Sequence, residues 1–235
     1  EGWQVEQLMA GGELWADVEA GQLQRVVVRL NAPELKAAAA QRTPVSVQDL
    51  TLMAYLDRHA QGYDLRLESL ALSLDQQRFG PLQLELQQRQ ATPDAAPVWQ
   101  VQADRLDLAP LATLALSLAP AAPALDEWLS GLKPHGQLSN IQVSLDTAKV
   151  SADRLQFAAN LSAVGVSPHA NVPGLENVSG SISGDLGQGA LRLNSENFVL
   201  ELAEIFPAPW HYFKAGALLR WTLDEQAFSL YSSYI

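Results

Sequence analysis

Apolar and polar residues alternate with a period of two along most of this chain, and that pattern restricts it to half-buried β-strands. In PLQLELQQ, Leu82, Leu84 and Leu86 share one face while Gln83, Glu85 and Gln87 take the other. Similar runs occur at Leu14–Val18, Leu23–Leu30, Val47–Leu56, Tyr63–Leu67, Leu70–Leu74, Trp99–Ala103, Gly136–Leu145, Arg154–Leu161, Val178–Leu186, Ala190–Leu193, Phe198–Leu202, Ala217–Leu223 and Phe228–Tyr231. The turns between them are short. Gly187-Gln188-Gly189 joins one pair of runs and Asp224-Glu225-Gln226 another, as antiparallel hairpins require. Consecutive strands are therefore expected to be neighbours in one meandering sheet. Between Leu67 and Leu70 the apolar set changes parity, which demands a bulge or a break at Glu68-Ser69 if one face is to stay covered.

Helical pattern is scarce. Pro33, followed by Glu34-Leu35-Lys36 and four alanines, predicts a short helix with Pro in its first turn. A second helical region is expected at about 108–132, divided by Pro110, Pro120 and Pro123, with Leu125, Trp128 and Leu129 as a buried stripe in its later half. The Pro- and Ala-rich stretch Ala91–Pro97 reads as an exposed loop. No stretch has the length of a domain linker, so residues 1–235 are expected to form one continuous β-rich segment with a soft division near 95.

Composition removes several functions. Fifteen Lys and Arg stand against 26 Asp and Glu, a net charge of −11, which disfavours nucleic acid as a partner and leaves no basic patch for a membrane surface. The absence of Cys excludes disulfides, thiolate nucleophiles and Cys-based metal centres. No apolar run approaches the roughly 20 residues that span a bilayer. The chain begins at Glu1 without Met and stops within YSSYI, the expectation being a piece of a longer protein.

Chemistry-bearing motifs are missing or bland. His59, His135, His169 and His211 lack metal-ligand spacing and are expected at exposed loops or strand ends. Asp104 and Asp107 around Arg105, and Asp57 beside Arg58, read as polar faces with local ion pairs instead of paired catalytic carboxylates. Gly180, Gly184, Gly187 and Gly189 fit hairpins and match no phosphate loop. No GxSxG is present, and the Asn160-Leu161-Ser162 and Asn177-Val178-Ser179 sequons are of a kind frequent by chance. The six Trp residues are expected in the core. No catalytic residue, cofactor or metal is assigned.

Two longer runs carry a family resemblance. DRLDLAPLATLALSLAPAAPALDEWLSGLKPHGQLSNIQVSLD (Asp104–Asp146) pairs a Leu-Asp-Leu helix start with a Leu-x-Pro-x-Gly-x-Leu return to strand. PGLENVSGSISGDLGQGALRLNSENFVLELAEIF (Pro173–Phe206) adds Pro-Gly-Leu-x-Asn-x-Ser-Gly, then Gly-x-Leu-x-Leu and a Phe-Pro stop, with Leu219-Arg220-Trp221 after it. From about residue 100 onward the chain resembles the YhdP branch of the AsmA-like proteins of Gram-negative bacteria. That resemblance implies an internal, periplasmic segment of a long protein anchored in the inner membrane. It also implies a long, curved and twisted antiparallel sheet, taco-like, with a groove and a few short helices, and a part in moving phospholipid between inner and outer membranes. The family brings no catalytic residues.

Alternation suits such a role, because exposing roughly 30 methylenes of a phospholipid to water costs on the order of 25 kcal/mol, at about 0.8 kcal/mol each. Leu82, Leu84, Leu86, Leu155, Phe157, Ile182, Leu191, Leu193, Leu200 and Leu202 are the candidate groove residues. The expected partners are phospholipid acyl chains, the rest of the same chain at both sheet ends, and other envelope proteins. Periodicity alone favours a closed sandwich or barrel over an open groove, and the resemblance is what reverses that preference. The alternatives to a lipid path are a structural or protein-binding β module and a glycosidase-like enzyme.

Overall fold

The computed structural model describes residues 2–74, 77–90, 92, 94–119, 122–170, 172–202, 206–223 and 227–232. Twelve strands form one antiparallel sheet whose spatial order is the order of the chain. They are β1 (Trp3–Glu19), β2 (Gln22–Ala39), β3 (Val45–His59), β4 (Gly62–Leu74), β5 (Gln77–Arg89), β6 (Val98–Asp107), β7 (His135–Asp146), β8 (Leu155–Val166), β9 (Gly174–Asp185), β10 (Gln188–Glu201), β11 (Trp210–Leu223) and β12 (Phe228–Ser232). Helices α1 (Leu108–Leu118) and α2 (Pro123–Leu132) lie between β6 and β7. The sheet is not closed, since β1 and β12 are its edges. It is the curved, groove-like sheet with few helices that the resemblance implied. β5 pairs with β6 on either side of the Ala91–Pro97 connection. The expected turn at Asp224–Gln226 lies outside the described residues.

Two expectations are corrected. The segment from Pro33 to Ala39 is strand, not helix: Glu34 and Lys36 pair with Met9 and Gln7 of β1 and with Gln48 and Ser46 of β3. Pairing on both sides overrides the helix propensity of Glu-Leu-Lys-Ala. Pro33 falls where the β1–β2 register is irregular, a place that needs no ladder donor. In α2 the expected buried stripe is exposed: Leu125 is 51% and Trp128 42% accessible, and only Leu129 is half-buried.

The expected bulge is present, and it is one of many. Leu67 pairs with Ala54 while Ser69 pairs with Met53, leaving Glu68 as the extra residue. The same three-residue step between apolar positions occurs at Val47/Leu50, Phe79/Leu82, Ala103/Leu106, Leu138/Ile141, Leu161/Val164 and Leu175/Val178. Asp49, Asn140, Ala163, Asn177 and Asn197 take left-handed backbone (φ 51°, 50°, 47°, 59° and 52°), most of them residue types that tolerate it. One packed cluster contains Val47 with Leu50, Phe79 with Leu82, and Ala103 with Leu106, so each step leaves the apolar residues on the same face. A strict period of two through a kink would have turned half of each strand over.

α1 closes part of that face. Leu114 and Leu118 pack against Val45, Val47, Leu72, Leu74, Phe79 and Leu82, and the helix reaches β2, β3, β6 and β7. The helices are held by Arg42, in the β2–β3 turn. Its guanidinium donates to both carboxylate oxygens of Asp126 at 2.7 and 2.9 Å, and its Nε to the Ala119 carbonyl at 3.3 Å. This side chain is only 9% exposed. Elsewhere the extensive contacts between strands join chain neighbours only, and among the described residues no second sheet lies on the apolar face.

Candidate functional site

The register defines an apolar track running across the strands. One row of paired positions crosses all twelve: Ala16, Val26, Leu56, Leu65, Leu86, Val101, Val143, Phe157, Gly184, Gly189, Trp221 and Leu230. At about 4.8 Å between strands, it extends roughly 50 Å. Beside it runs Leu14, Val28, Ala54, Leu67, Leu84, Ala103 and Ile141 over β1–β7, resumed by Ala159, Ile182, Leu191 and Leu219 over β8–β11. Every position on this track is apolar or Gly.

The two glycines in the row are filled from their neighbours. A Cβ on Gly189 would lie 2.1 Å from the Trp221 ring, which therefore rests on the glycine backbone. The Phe157 and Trp221 rings, from strands three apart, approach to 6.5 Å between centroids with planes 11° apart. Two rings thus carry the apolar surface across a gap with no side chains. The sequence reading took these glycines as hairpin residues; Gly187 is in the turn, while Gly184 and Gly189 are paired strand positions.

Most of the ten candidates share this face. Leu84, Leu86, Phe157, Ile182 and Leu191 sit in the two rows. Leu155 is paired with Leu145 one position nearer the β7–β8 hairpin. Leu193 pairs with Gly180 and Ala217, Leu200 with Leu175 and Trp210, and half-buried Leu202 follows β10. Leu82 differs. It is 4% exposed in the cluster under α1, so it belongs to packed core and not to an open surface.

Openness varies along the track. Leu14 is 67% exposed near the β1 edge, while the central leucines outside the α1 cluster are half-buried by one another. Two sizeable hollows lie on the other side of the sheet. One of about 560 Å³ is lined by Arg66, Glu85, Gln102 and Gln142, and one of about 490 Å³ by Gln100, Gln142, Ser144 and Gln156. Amide and carboxylate walls there suit water better than acyl chains. Volume is thus a poor guide to this site, and the chemistry of the face a better one.

Bulges need local satisfaction, and Ser195 supplies it in β10. The side chain is 2% exposed, accepts from the Ser179 N–H at 2.8 Å and closes the gap in the β9–β10 ladder between Leu193 and Val199. Asn177 Nδ2 donates to the Asn197 carbonyl at 2.9 Å, joining two left-handed residues on adjacent strands. Sequence reading missed these residues. The signal was a polar residue, then Asn, then an apolar residue at three of the parity steps: Ser139-Asn140-Ile141, Glu176-Asn177-Val178 and Glu196-Asn197-Phe198.

Titratable groups are dispersed in local pairs. His59 meets Asp64 at 2.7 Å and His135 meets Glu176 at 2.7 Å, while His169 contacts the edge of Trp128 and His211 is exposed on β11. His135 and His169 are half-buried, against the expectation of exposure. Asp57 pairs with Arg25 at 2.6 Å across strands, and Asp104 accepts the N–H groups of Gln83 and Arg105. The Arg89 guanidinium, then His59, hold the Asp64 carboxyl below the usual carboxylate range. No group of three His, Cys, Asp or Glu is placed to hold a metal among the described residues. Trp3, Trp15, Trp128 and Trp210 are exposed, correcting the expectation that every Trp is core.

A single-layer antiparallel sheet with a continuous apolar track defines a class of groove-forming proteins. The whole chain, residues 1–235, matches the family described as YhdP protein, and it belongs to that family. It is similar to the intermembrane phospholipid transporter YhdP of Escherichia coli (strain K12), with 26% identity over 131 residues. The match covers 56% of this chain and 10% of that transporter. No solved structure matches the chain. Among the described residues no helix is long and apolar enough to cross a membrane.

Proposed function

We propose that this segment carries phospholipid acyl chains along its apolar track, as one length of a bridge-like periplasmic protein between the inner and outer membranes, and so supports the outer-membrane barrier. The observation that carries the reading is the row of paired apolar positions through all twelve strands, with no second sheet over it among the described residues. Its relative's name, an intermembrane phospholipid transporter, supports phospholipid as cargo. The segment works without catalysis: acyl chains need only a surface that spares them water, and Asp57, His59 and His135 are occupied in local pairs. β1, exposed along its whole length, is positioned to pair with a further strand of the longer chain.

Site-specific photo-crosslinking in the full-length protein tests this. A crosslinker replacing Leu86 or Leu191 should capture phospholipid, and one replacing Glu85 or Arg192 on the opposite face should not. Equal capture on both faces, or none at Leu86 and Leu191, would sink the reading.

A further inference from the structure

The apolar track changes character at one border. Two residues along β3 from Leu56, on the same face, stands Arg58, paired in register with Tyr63; Tyr63 pairs with Gln88, and Gln88 with Trp99. A row of donors, comprising guanidinium, phenol, amide and indole, thus lies beside the row Leu56, Leu65, Leu86 and Val101. Arg25, Arg29, Arg66 and Arg89, on the opposite face, each meet a carboxylate. Arg58 has no ion-pair partner among the described residues, and its register neighbours are neutral. A hollow of about 120 Å³, roughly four water volumes, is lined by Leu23, Gln24, Leu56, Arg58 and Tyr63.

We propose that Arg58, with Tyr63 and Gln24 beside it, receives the phosphodiester of a phospholipid headgroup at the hairpin border of the track. The proposal rests on the reading of this face as a phospholipid path. In a chain of net charge −11, an unpaired cation on the apolar face is the group an anionic phosphate would meet. A guanidinium offers paired donors to phosphate oxygens, and Tyr63 and Gln24 add a hydroxyl and an amide. Acyl chains would then lie on the leucine rows, one strand-step further in. Amphiphile and surface share one polarity axis.

The test uses the full-length protein, its Arg58→Gln and Arg58→Lys variants, and three probes. Dioleoylphosphatidylglycerol and dioleoylglycerol, delivered from cyclodextrin, share acyl chains and differ in the phosphate; glycerophosphate carries the phosphate alone. Arg58→Gln should weaken phosphatidylglycerol binding about tenfold, Arg58→Lys should recover part of it, and dioleoylglycerol should bind all three proteins alike. Unchanged phosphatidylglycerol binding by Arg58→Gln overturns the proposal and leaves the lipid path standing. Equal loss of both lipids overturns it too, by assigning Arg58 to the fold or the acyl surface. Arg58-dependent binding of glycerophosphate at the strength of the whole lipid identifies a free-phosphate site and overturns the headgroup assignment. If the unaltered protein binds neither lipid, the path itself fails and the proposal with it.

Discussion

Leu82 and Leu86 face the same side of β5, one turn of alternation apart twice over, and their truncation separates an open track from a closed core. Leu82 is 4% exposed beneath α1, among Leu72, Leu74 and Phe79. Leu82→Ala removes three carbons worth about 2.4 kcal/mol by transfer and leaves a cavity at about 24 cal/mol per Å³, for a total of roughly 3–5 kcal/mol. Leu86 is half-buried between Leu65 and Val101, with no second sheet above it among the described residues. Solvent or lipid fills the space left by Leu86→Ala, so the cavity contribution vanishes and only part of the transfer loss remains, roughly 1–1.5 kcal/mol. Urea unfolding followed by tryptophan fluorescence and circular dichroism reads the difference as unequal midpoint shifts at an unchanged slope. Equal costs for the two substitutions would mean that a packed layer covers Leu86 as it covers Leu82. The track would then be ordinary core, and the transport reading would lose its physical basis.

Three further predictions concern the frame around the track. Arg42→Ala leaves the partly buried Asp126 carboxylate unpaired at a cost of about 2–3 kcal/mol, and hydrogen exchange should rise across 108–132 while the distant β9–β10 hairpin keeps its protection. Asn177→Ala places a Cβ-constrained residue at φ 59° and removes the bond to Asn197, a loss of about 2 kcal/mol by thermal unfolding; Asn177→Gly should lose only about half of that. Asp64 titrates below its ordinary range because Arg89 and His59 favour its carboxylate. Its stabilisation is therefore present above the unfolded-state value near 3.9 and disappears as pH falls through the lower folded value. Asp64→Asn should flatten the acid limb of the stability–pH curve, and an unaltered limb would show that the pair contributes nothing.

Much of this fold was legible because alternation is a direct record of burial in a half-covered sheet. The PLQLELQQ run became β5, and the antiparallel neighbour order followed from the short turns. What escaped was continuity through kinks. Ala190–Leu193 and Phe198–Leu202 are one strand, β10, since Ser195 and Asn197 hold the bulge between them. Tyr63–Leu67 and Leu70–Leu74 are likewise one strand, β4. A parity change looks like an end when only one strand is considered, and like a bend when its neighbours bend too. The Pro33 segment was misread for a related reason, as local propensity cannot register two flanking strands. Of the candidate site, the face was legible, but the depth was not: nothing in a period of two distinguishes Leu82 under a helix from Leu86 beside an open track.

The polarity border and the transport reading constrain one another. A track that only shields acyl chains would let a lipid lie in any orientation, whereas on the proposed reading a border of donors beside the leucine rows sets the headgroup on the hairpin side over β3–β6, before the same row turns apolar at Leu145 and Leu155. Affinity at that border must stay small, because a lipid held tightly at one point cannot move on. A tenfold preference at Arg58 corresponds to about 1.4 kcal/mol, against the roughly 25 kcal/mol by which water disfavours the exposed chains. On the proposed reading, then, the apolar face would retain the lipid, and Arg58 would delay it only briefly. The neutral donors of Tyr63, Gln88 and Trp99 continue the same border over the next three strands without adding charge. Arg58→Glu should accordingly do more harm than Arg58→Gln, since it sets a carboxylate against every anionic headgroup that passes, and its effect should shrink as salt is raised. A loss of transfer equal in both variants and insensitive to salt would place the defect in the fold of β3 and not at the border.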